Sequence, residues 1–357
     1  MRLLYRPEIK AIIARLAKIS LLILGFFLIW WFVSASDLGR ISAQLGSIGY
    51  KFVFIILVTL TAQLLVTTAW RYCFLEKPDI GIFRLFLIRL MGESLAQINP
   101  TSFLAGETMK AVVLSRHGVP YSRSITALTI ARLTVWLSSG TLIGIGLVLF
   151  LDKLNFVGSK VIMAVVASGL LLGATFFFLR LSNGHSFFAL FPAILRRLMP
   201  WFKGLLAIER KLQKVDSDLF YFFHHRRKDL ARAYGLTLLH WLGGATEFFL
   251  ILTFLGVEVS FLSCVAMEVG VMLFKAMGTF VPGQVGIEEY ANRLMLDLVG
   301  VPGADLWISV SILRRTRQLF WLGMGTLVFS LTMMHRRKEL DPSTVVAESY
   351  GSPVHHS

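Results

Sequence analysis

The sequence predicts an all-α polytopic membrane protein with about six full spans and two re-entrant helical hairpins. We expect an inverted-topology repeat with both termini in the cytoplasm. Of the 357 residues, 55% are hydrophobic and only 16% are charged, too few to cover a soluble protein of this length. Several apolar runs approach or exceed the roughly 20 residues that cross a bilayer core as a helix. A short proline-containing motif also occurs twice within apolar sequence.

The N-terminal segment, residues 1–18, is basic and leads into a first span at about 19–33. Its positive charge places it in the cytoplasm. This stretch imitates a secretory signal, but the bulky Trp30-Trp31-Phe32 favours an uncleaved span. One transmembrane domain, residues 19–338, follows. Its later spans and hairpin arms are predicted at about 50–70, 83–97, 124–151, 161–179, 234–255, 261–280, 290–299 and 306–333.

A strongly basic stretch, residues 180–232, interrupts the apolar pattern and is predicted to be cytoplasmic. Apolar residues recur in it at helical spacing. It is either a plain cytoplasmic loop or an interfacial amphipathic helix that gathers anionic lipid, and the two interpretations are compatible. The basic residues His335 to Lys338 end the last span on the cytoplasmic side, and the polar tail, 339–357, is predicted to be disordered.

The net charge of +15 is distributed over the loops that flank the spans. This distribution favours positive-inside topology and contact with anionic lipid over nucleic-acid binding. The two cysteines, Cys73 and Cys264, lie at or within apolar segments and are interpreted as buried free thiols. We find no metal-binding acid cluster, cofactor motif or nucleophile arrangement. We therefore expect no metal, no cofactor and no enzymatic activity.

The chain contains an internal repeat at an offset of 182 residues. In one ungapped register, Pro100 aligns with Pro282 and Glu107 with Glu289. The tripeptide Gly-Val-Pro at 118–120 recurs at 300–302. The two repeat halves lie around 83–151 and 261–333, and Arg132 and Thr134 in the first correspond to Arg314 and Thr316 in the second. So many matches in one register predict a true repeat.

Each repeated motif is predicted to be the tip of a re-entrant hairpin. Proline ends the first arm, and glycines allow the backbone to reverse near the middle of the membrane. Three full spans separate the two hairpins, so the second copy is expected upside down relative to the first, as in many transporters. The candidate tip residues are Pro100, Gly106, Pro282, Gly283 and Gly286.

The repeat also places charges deep in the membrane. At 1.5 Å per residue, Arg132 and Arg314 lie roughly 15 Å into their spans, and we expect Glu107 and Glu289 at similar depth. Charge at this depth requires a partner or a polar cavity, so each arginine is predicted to lie with the glutamate of its own repeat. Candidate substrate-binding residues are Glu107, Arg132, Glu289, Arg314, Glu288, Lys110 and Glu247. The alternative is a structural ion pair that locks helices together.

Two further pairs of polar residues have the spacing of one helix face. His240 and Glu247 form either a proton relay or a packed pair, and Glu268 and Lys275 are expected to pair with each other.

The chain resembles the lysylphosphatidylglycerol synthase transmembrane-region family, whose members are flippase-like membrane domains. The resemblance rests on Pro100 followed by Gly106-Glu107 and Lys110, and on "VPGQVGIEE" with the downstream "GVP" and Arg314. It covers about 19–338. It implies movement of lipids between leaflets of the bacterial cytoplasmic membrane: aminoacylated or other anionic phospholipids, glycolipids, or polyprenyl- or hopanoid-type lipids. No soluble synthase domain is expected after Lys338, so synthase activity is not implied.

Three functions follow from these features. The first is a lipid flippase in which arginines hold a lipid phosphate while the acyl chains stay in the bilayer. The second is a membrane enzyme acting on a lipid phosphate. The third is a non-transporting scaffold that binds lipid-biosynthesis enzymes. The lipid, the energy source and the oligomeric state are left open by the sequence.

Overall fold

A computed structural model describes residues 46, 48–98, 102–151, 169, 205–277, 284, 286–301 and 306–339. No strand occurs in these parts of the chain. The helices are α1 (Phe52–Tyr72, after a 3-10 turn at Gly49–Lys51), α2 (Ile82–Ile98), α3 (Ser102–Arg116), α4 (Tyr121–Leu151), α5 (Leu205–His225), α6 (Arg227–Phe254), α7 (Phe261–Met277), α8 (Ile287–Val299) and α9 (Leu306–Glu339).

Three of the described helices are long and apolar enough to cross a membrane: Gly49–Tyr72, Tyr121–Gly146 and Arg227–Phe254. They coincide with three of the predicted spans. The predicted spans at 19–33 and 161–179 lie outside the described residues, apart from residue 169. The predicted last span is a helix of 34 residues, α9, but it carries Arg314, Arg315 and Arg317 and does not have the composition of an apolar span.

The repeat extends further than the sequence indicated. Adding 182 to the bounds of α1 gives 234–254, which lies within α6, and the same shift brings α2, α3 and α4 close to α7, α8 and α9. The described core therefore consists of a first half, α1–α4, and a second half, α6–α9. The counterpart of helix α5 under this shift would be residues 23–43, which lie outside the described residues.

The leading helices of the two halves, α1 and α6, pack against each other along their length. At one end, the Lys51 ammonium lies 5.6 Å from the ring centre of Phe254. At the other, the Arg226 guanidinium donates to the carbonyl oxygen of Leu75, at 2.8 Å. The start of α1 thus meets the end of α6, so the two equivalent helices are antiparallel. An inverted repeat requires this relation.

Small residues allow the two helices to approach where they cross. A Cβ added at Gly243 would collide with the side chain of Ala62, the residue that corresponds to Gly244 under the 182-residue shift. Close approach at small residues is common where membrane helices pack. Small residues from both halves therefore lie at the point where α1 and α6 cross.

Each half also contributes a helix to the packing of the other. Helix α2 packs against α9, where Gly325 leaves room for the Leu90 carbonyl and the Ser94 side chain. Helix α7 packs reciprocally against α4, where Gly146 leaves room for Val269. The halves are therefore interlocked.

Helix α5 is amphipathic, as the spacing of apolar residues in the basic stretch predicts. Val215, Leu219 and Phe222 are buried against α4 and α6. On its polar side, the Thr126 hydroxyl donates to Asp218 at 3.1 Å. Lys214 and Tyr221 remain exposed.

The helices α2 and α3 pack closely, as do α7 and α8, which gives two helical hairpins. Gly286 precedes α8 with a positive φ of 84°, a conformation in which glycine is favoured. The prediction for Gly106 was wrong, because this residue lies inside α3 rather than at the tip. It serves helix packing instead, as described below. Pro100, Pro282 and Gly283 lie outside the described residues.

Candidate functional site

The first-half cluster consists of charged side chains from three helices: Arg89 and Glu93 of α2, Glu107 and Lys110 of α3, and Arg132 of α4. Arg132 donates through Nε to Glu107 Oε1, at 2.9 Å, and through Nη2 to Glu93 Oε1, at 3.1 Å. The Lys110 ammonium donates to the same two oxygens, each at 2.9 Å. The predicted contact of Arg132 with Glu107 is therefore present, and it belongs to a larger network.

Two glycines bring the arms of the first hairpin close enough for this network to form. A Cβ at Gly106 would collide with the carbonyl oxygen of Gly92 in α2. A Cβ at Gly92 would in turn collide with the Lys110 side chain, which crosses that point toward Glu93. Glycine at both positions thus lets α2 and α3 approach and leaves a path for the buried lysine.

A cavity of about 200 Å³ adjoins the first-half cluster; we call it the first-half cavity. All five residues of the cluster line it. The other lining residues include Val66, Trp70, Ala131, His240 and Trp241. Charged side chains beside a cavity, rather than in a closed core, mark a place where a polar ligand can enter.

Two buried polar atoms of lining residues have no hydrogen-bond partner in the described structure. They are Trp70 Nε1, a donor, and Glu107 Oε2, an acceptor. Leaving such groups unpaired costs about 1–3 kcal/mol each. Both atoms are buried in the cavity wall rather than exposed to the cavity.

Arg89 gives the cavity an excess of positive charge. Its guanidinium bonds the side chain of Gln63, and its described hydrogen bonds go to that residue. The carboxylates Glu93 and Glu107 are both engaged by Lys110 and Arg132. Three cations thus line the cavity against two carboxylates.

The second-half cluster is centred on Arg314, which is 2% exposed. Its Nη1 and Nη2 each donate to Glu268 Oε2, at 3.0 Å, and its Nε donates to Glu288 Oε1, at 3.2 Å. The guanidinium lies 4.0 Å from the ring centre of Phe248. Lys275, at 3.3 Å, and Gln318, at 2.5 Å, also contact Glu288.

The predicted pairing of Arg314 with Glu289 was wrong. Glu289 pairs with Arg315, and its other oxygen accepts from the backbone N–H of Gly286, at 2.7 Å. Helix α8 begins at Ile287, so Glu289 lies in its first turn and folds back onto the helix start. Helix α3 begins five residues before Glu107, which is thus free to reach α4. In the second half it is Glu288, the residue before Glu289, that faces α9.

Two other predicted pairs are also replaced by longer-range contacts. Glu268 and Lys275 do not pair with each other, since Glu268 binds Arg314 and Lys275 binds Glu288. Glu247 forms an ion pair with Arg317, at 2.6 Å.

His240 contacts the backbone rather than the predicted partner, Glu247. Its Nδ1 lies 2.9 Å from the Ala62 carbonyl oxygen. This contact joins α6 of the second half to α1 of the first, and His240 also lines the first-half cavity.

Sequence reasoning missed Arg89, Glu93 and Trp70, although the first two carried a usable signal. They lie one helical turn apart inside a predicted apolar arm, and an ionisable residue in such a segment is a candidate functional residue by default. Trp70 carried no signal, because a tryptophan near a span end is also common as an interface anchor. In the described residues, no group of His, Cys, Asp and Glu side chains is arranged to hold a metal ion.

A protein-family model described as the lysylphosphatidylglycerol synthase TM region matches residues 16–325 of the chain. The match confirms the resemblance drawn from the two repeated motifs. No curated protein and no solved structure gives a significant match.

Proposed function

The chain belongs to the lysylphosphatidylglycerol synthase transmembrane-region family, and on that premise we propose that it moves an anionic or phosphate-bearing lipid between the leaflets of the bacterial cytoplasmic membrane. The observation that carries the proposal is the first-half cavity, which is lined by a charged network between apolar helices. A lipid head group needs such a polar site to cross the hydrocarbon region, whereas its acyl chains do not.

The relation of the two halves supports transport rather than simple binding. The antiparallel packing of α1 and α6 and the reciprocal packing of α2 with α9 and α7 with α4 are expected of inverted repeats. In transporters built this way, one repeat rocks against the other around a fixed site. The first-half cavity lies where α6, of the second half, meets α1, α2 and α4. It is therefore at a boundary that such a movement would open and close.

We further propose that both short hairpins are re-entrant and enter the membrane from opposite sides. The helices α2, α3, α7 and α8 have 17, 15, 17 and 13 residues, short for a full crossing at about 20. Their buried charges then lie near the middle of the bilayer, where the opposing hairpins meet.

The test is lipid movement in liposomes that contain the purified full chain and no other protein. Phosphatidylglycerol with a fluorescent acyl chain is placed in both leaflets, and the outer leaflet is quenched with dithionite. We expect the wild type to bring the inner-leaflet signal outward. Arg132→Met should slow this movement at least tenfold, because it removes a guanidinium from the cavity wall.

Arg123→Met is the matched control, since Arg123 forms an exposed pair with Glu76 at the start of α4. We expect it to behave as the wild type. Wild-type movement no faster than in protein-free liposomes, with monodisperse protein of correct orientation, would overturn the proposal.

A further inference from the structure

His240 lies where the first-half cavity meets the contact between the two halves. Its side chain lines the cavity, and its Nδ1 is 2.9 Å from the carbonyl oxygen of Ala62 in α1. Ala62 is also the residue that approaches Gly243 where α1 and α6 cross. The imidazole is therefore attached to the crossing of the two halves and is also part of the cavity wall.

The contact with Ala62 determines which ring nitrogen carries the proton. A backbone carbonyl oxygen can only accept a hydrogen bond, so Nδ1 is the donor, and in the neutral ring the lone pair of Nε2 is free. Nε2 has no hydrogen-bond partner among the described residues, yet it is not one of the buried atoms that lack a partner. Because the half-buried His240 lines the cavity, Nε2 is open to the cavity.

The other ionisable groups around His240 come from several helices. Those that line the cavity with it are Arg89, Glu93, Glu107, Lys110, Arg132 and the Cys73 thiol. Further along α6, Glu247 is held by Arg317 of α9, at 2.6 Å. Glu268 of α7 is bonded within the second-half cluster, and α5 contributes no residue to the lining. Histidine is the side chain that ordinarily changes charge near neutral pH, so His240 is the candidate proton acceptor of this cavity.

We propose that the first-half cavity binds a proton on Nε2 of His240 together with an anionic lipid, so that lipid movement is coupled to protons. The choice of the anion rests on the proposed function. The Nε2 lone pair forms an N–H bond with a proton taken from water, and the proton returns to water when the lipid leaves. Glu247 takes no part, because its carboxylate is already paired with Arg317.

Charge balance couples the two ligands. The cavity is lined by three cations and two carboxylates, which leaves one positive charge when no ligand is bound. Protonation of His240 alone would raise this to two positive charges, which is unfavourable within a membrane. The negative charge of a lipid phosphate offsets the increase. The proton and the anion therefore each increase the affinity of the cavity for the other, and by the same factor.

The position of His240 connects the proton to movement of the two halves. Its Nδ1–H is donated from α6 of the second half to α1 of the first. A hydrogen bond from a charged imidazolium is roughly twice as strong as one from a neutral ring. Proton binding therefore strengthens a contact across the boundary at which the halves would move, and proton release weakens it.

The first measurement is nitrogen NMR of the full chain with isotope-labelled histidine, in nanodiscs of phosphatidylcholine with and without phosphatidylglycerol. His240→Gln and His117→Asn identify the signals of the two residues. We expect a neutral His240 ring that is protonated on Nδ1. Phosphatidylglycerol should raise the proton affinity of His240 about tenfold, or one pH unit, beyond its effect on His117. His117 is exposed at the end of α3 and reports the charge of the membrane surface.

The second measurement is lipid movement in liposomes between about pH 8 and about pH 6, a range that suits histidine. Albumin extracts a short-chain fluorescent phosphatidylglycerol from the outer leaflet at either pH. We expect movement by the wild type to become at least threefold faster at the lower pH. The increase should not exceed about tenfold per pH unit, since one proton is linked.

His240→Asn separates the proton site from the contact with Ala62. The asparagine amide places an N–H near the position of Nδ1 and has no counterpart of Nε2. This variant should move lipid at a rate that does not depend on pH, and His240→Gln, which also lacks a proton site, replaces it if it is not monodisperse. His117→Asn is the matched control and should keep the pH dependence. The Nδ1 of His117 also contacts a backbone carbonyl, that of Val113 at 2.9 Å, but His117 does not line the cavity.

The outcomes separate this inference from the proposed function. A neutral ring protonated on Nε2, equal proton affinity of His240 in both nanodiscs, or wild-type pH dependence in His240→Asn would each overturn the proton site, even if the chain moves lipid. A proton affinity of His240 that rises with phosphatidylglycerol, together with no lipid movement in liposomes, would uphold the linked binding of proton and anion and refute transport.

Discussion

Replacing Arg314 by methionine tests whether the second-half cluster is structural. Methionine keeps a flexible, polarizable side chain against the Phe248 ring but removes every hydrogen bond of the guanidinium. Glu288 retains Lys275 and Gln318 as partners. Glu268 loses the arginine that forms all its described ion pairs, so one buried carboxylate is left uncompensated.

The magnitude follows from the burial of the pair. The side chains of Arg314 and Glu268 are 3% and 10% exposed, and breaking a buried pair by removing one partner costs about 3–5 kcal/mol. Adding Glu268→Gln removes the stranded charge. We expect the double variant to recover most of this loss, with about 1–2 kcal/mol remaining for imperfectly bonded polar groups.

The assay is the free energy of unfolding in mixed detergent micelles, measured for the wild type, Arg314→Met and the double variant. Arg123→Met is the control, because its partner Glu76 is 70% exposed and such pairs contribute about 0–1 kcal/mol. Lipid movement by the double variant should be close to that of the wild type. Equal stability of Arg314→Met and Arg123→Met, or no recovery in the double variant, would refute the structural role.

Three other predictions concern the hairpins and the basic region. Gly106→Ala should destabilise the protein by about 1–3 kcal/mol in the same unfolding assay, because its Cβ meets backbone, whereas Gly140→Ala has open space around it and should not. Cysteines replacing Ser102 and Gln284 should react with an impermeant thiol reagent from opposite sides of the membrane, and labelling of both from one side would contradict the inverted arrangement. A peptide of residues 196–228 should bind anionic vesicles more weakly as salt increases, since salt screens surface attraction; salt-independent binding would contradict the electrostatic part.

The sequence predicted the structure best where a feature depended on local pattern within one helix or hairpin. Apolar runs located α1, α4 and α6, and the proline-to-glutamate spacing located both hairpins. The contact between Arg132 and Glu107 was also predictable, because both residues keep their register in the repeat. These features depend on the local pattern of apolar residues and on the 182-residue repeat, and both are visible in the sequence.

The sequence was least informative where the outcome depended on which way a side chain points. Glu288 and Glu289 are adjacent, and a step of one residue turns a side chain by about 100° around a helix. Only the start of α8 decides which of them caps the helix and which reaches Arg314. The first-half cavity was likewise beyond reach, because it arises from small side chains on helices that are far apart in the chain.

The reciprocal packing of the two halves also sets the order in which the protein can be assembled during synthesis. Ser94 of the first hairpin is covered by the helix that carries Gly325, about 230 residues later (325 − 94). At roughly 5–20 residues per second, a ribosome needs on the order of 10–50 s to make that interval. During this time, the face of α2 at Leu90 and Ser94 lacks the helix that covers it in the finished molecule. The first hairpin therefore reaches its final packing only after most of the second half has been synthesised.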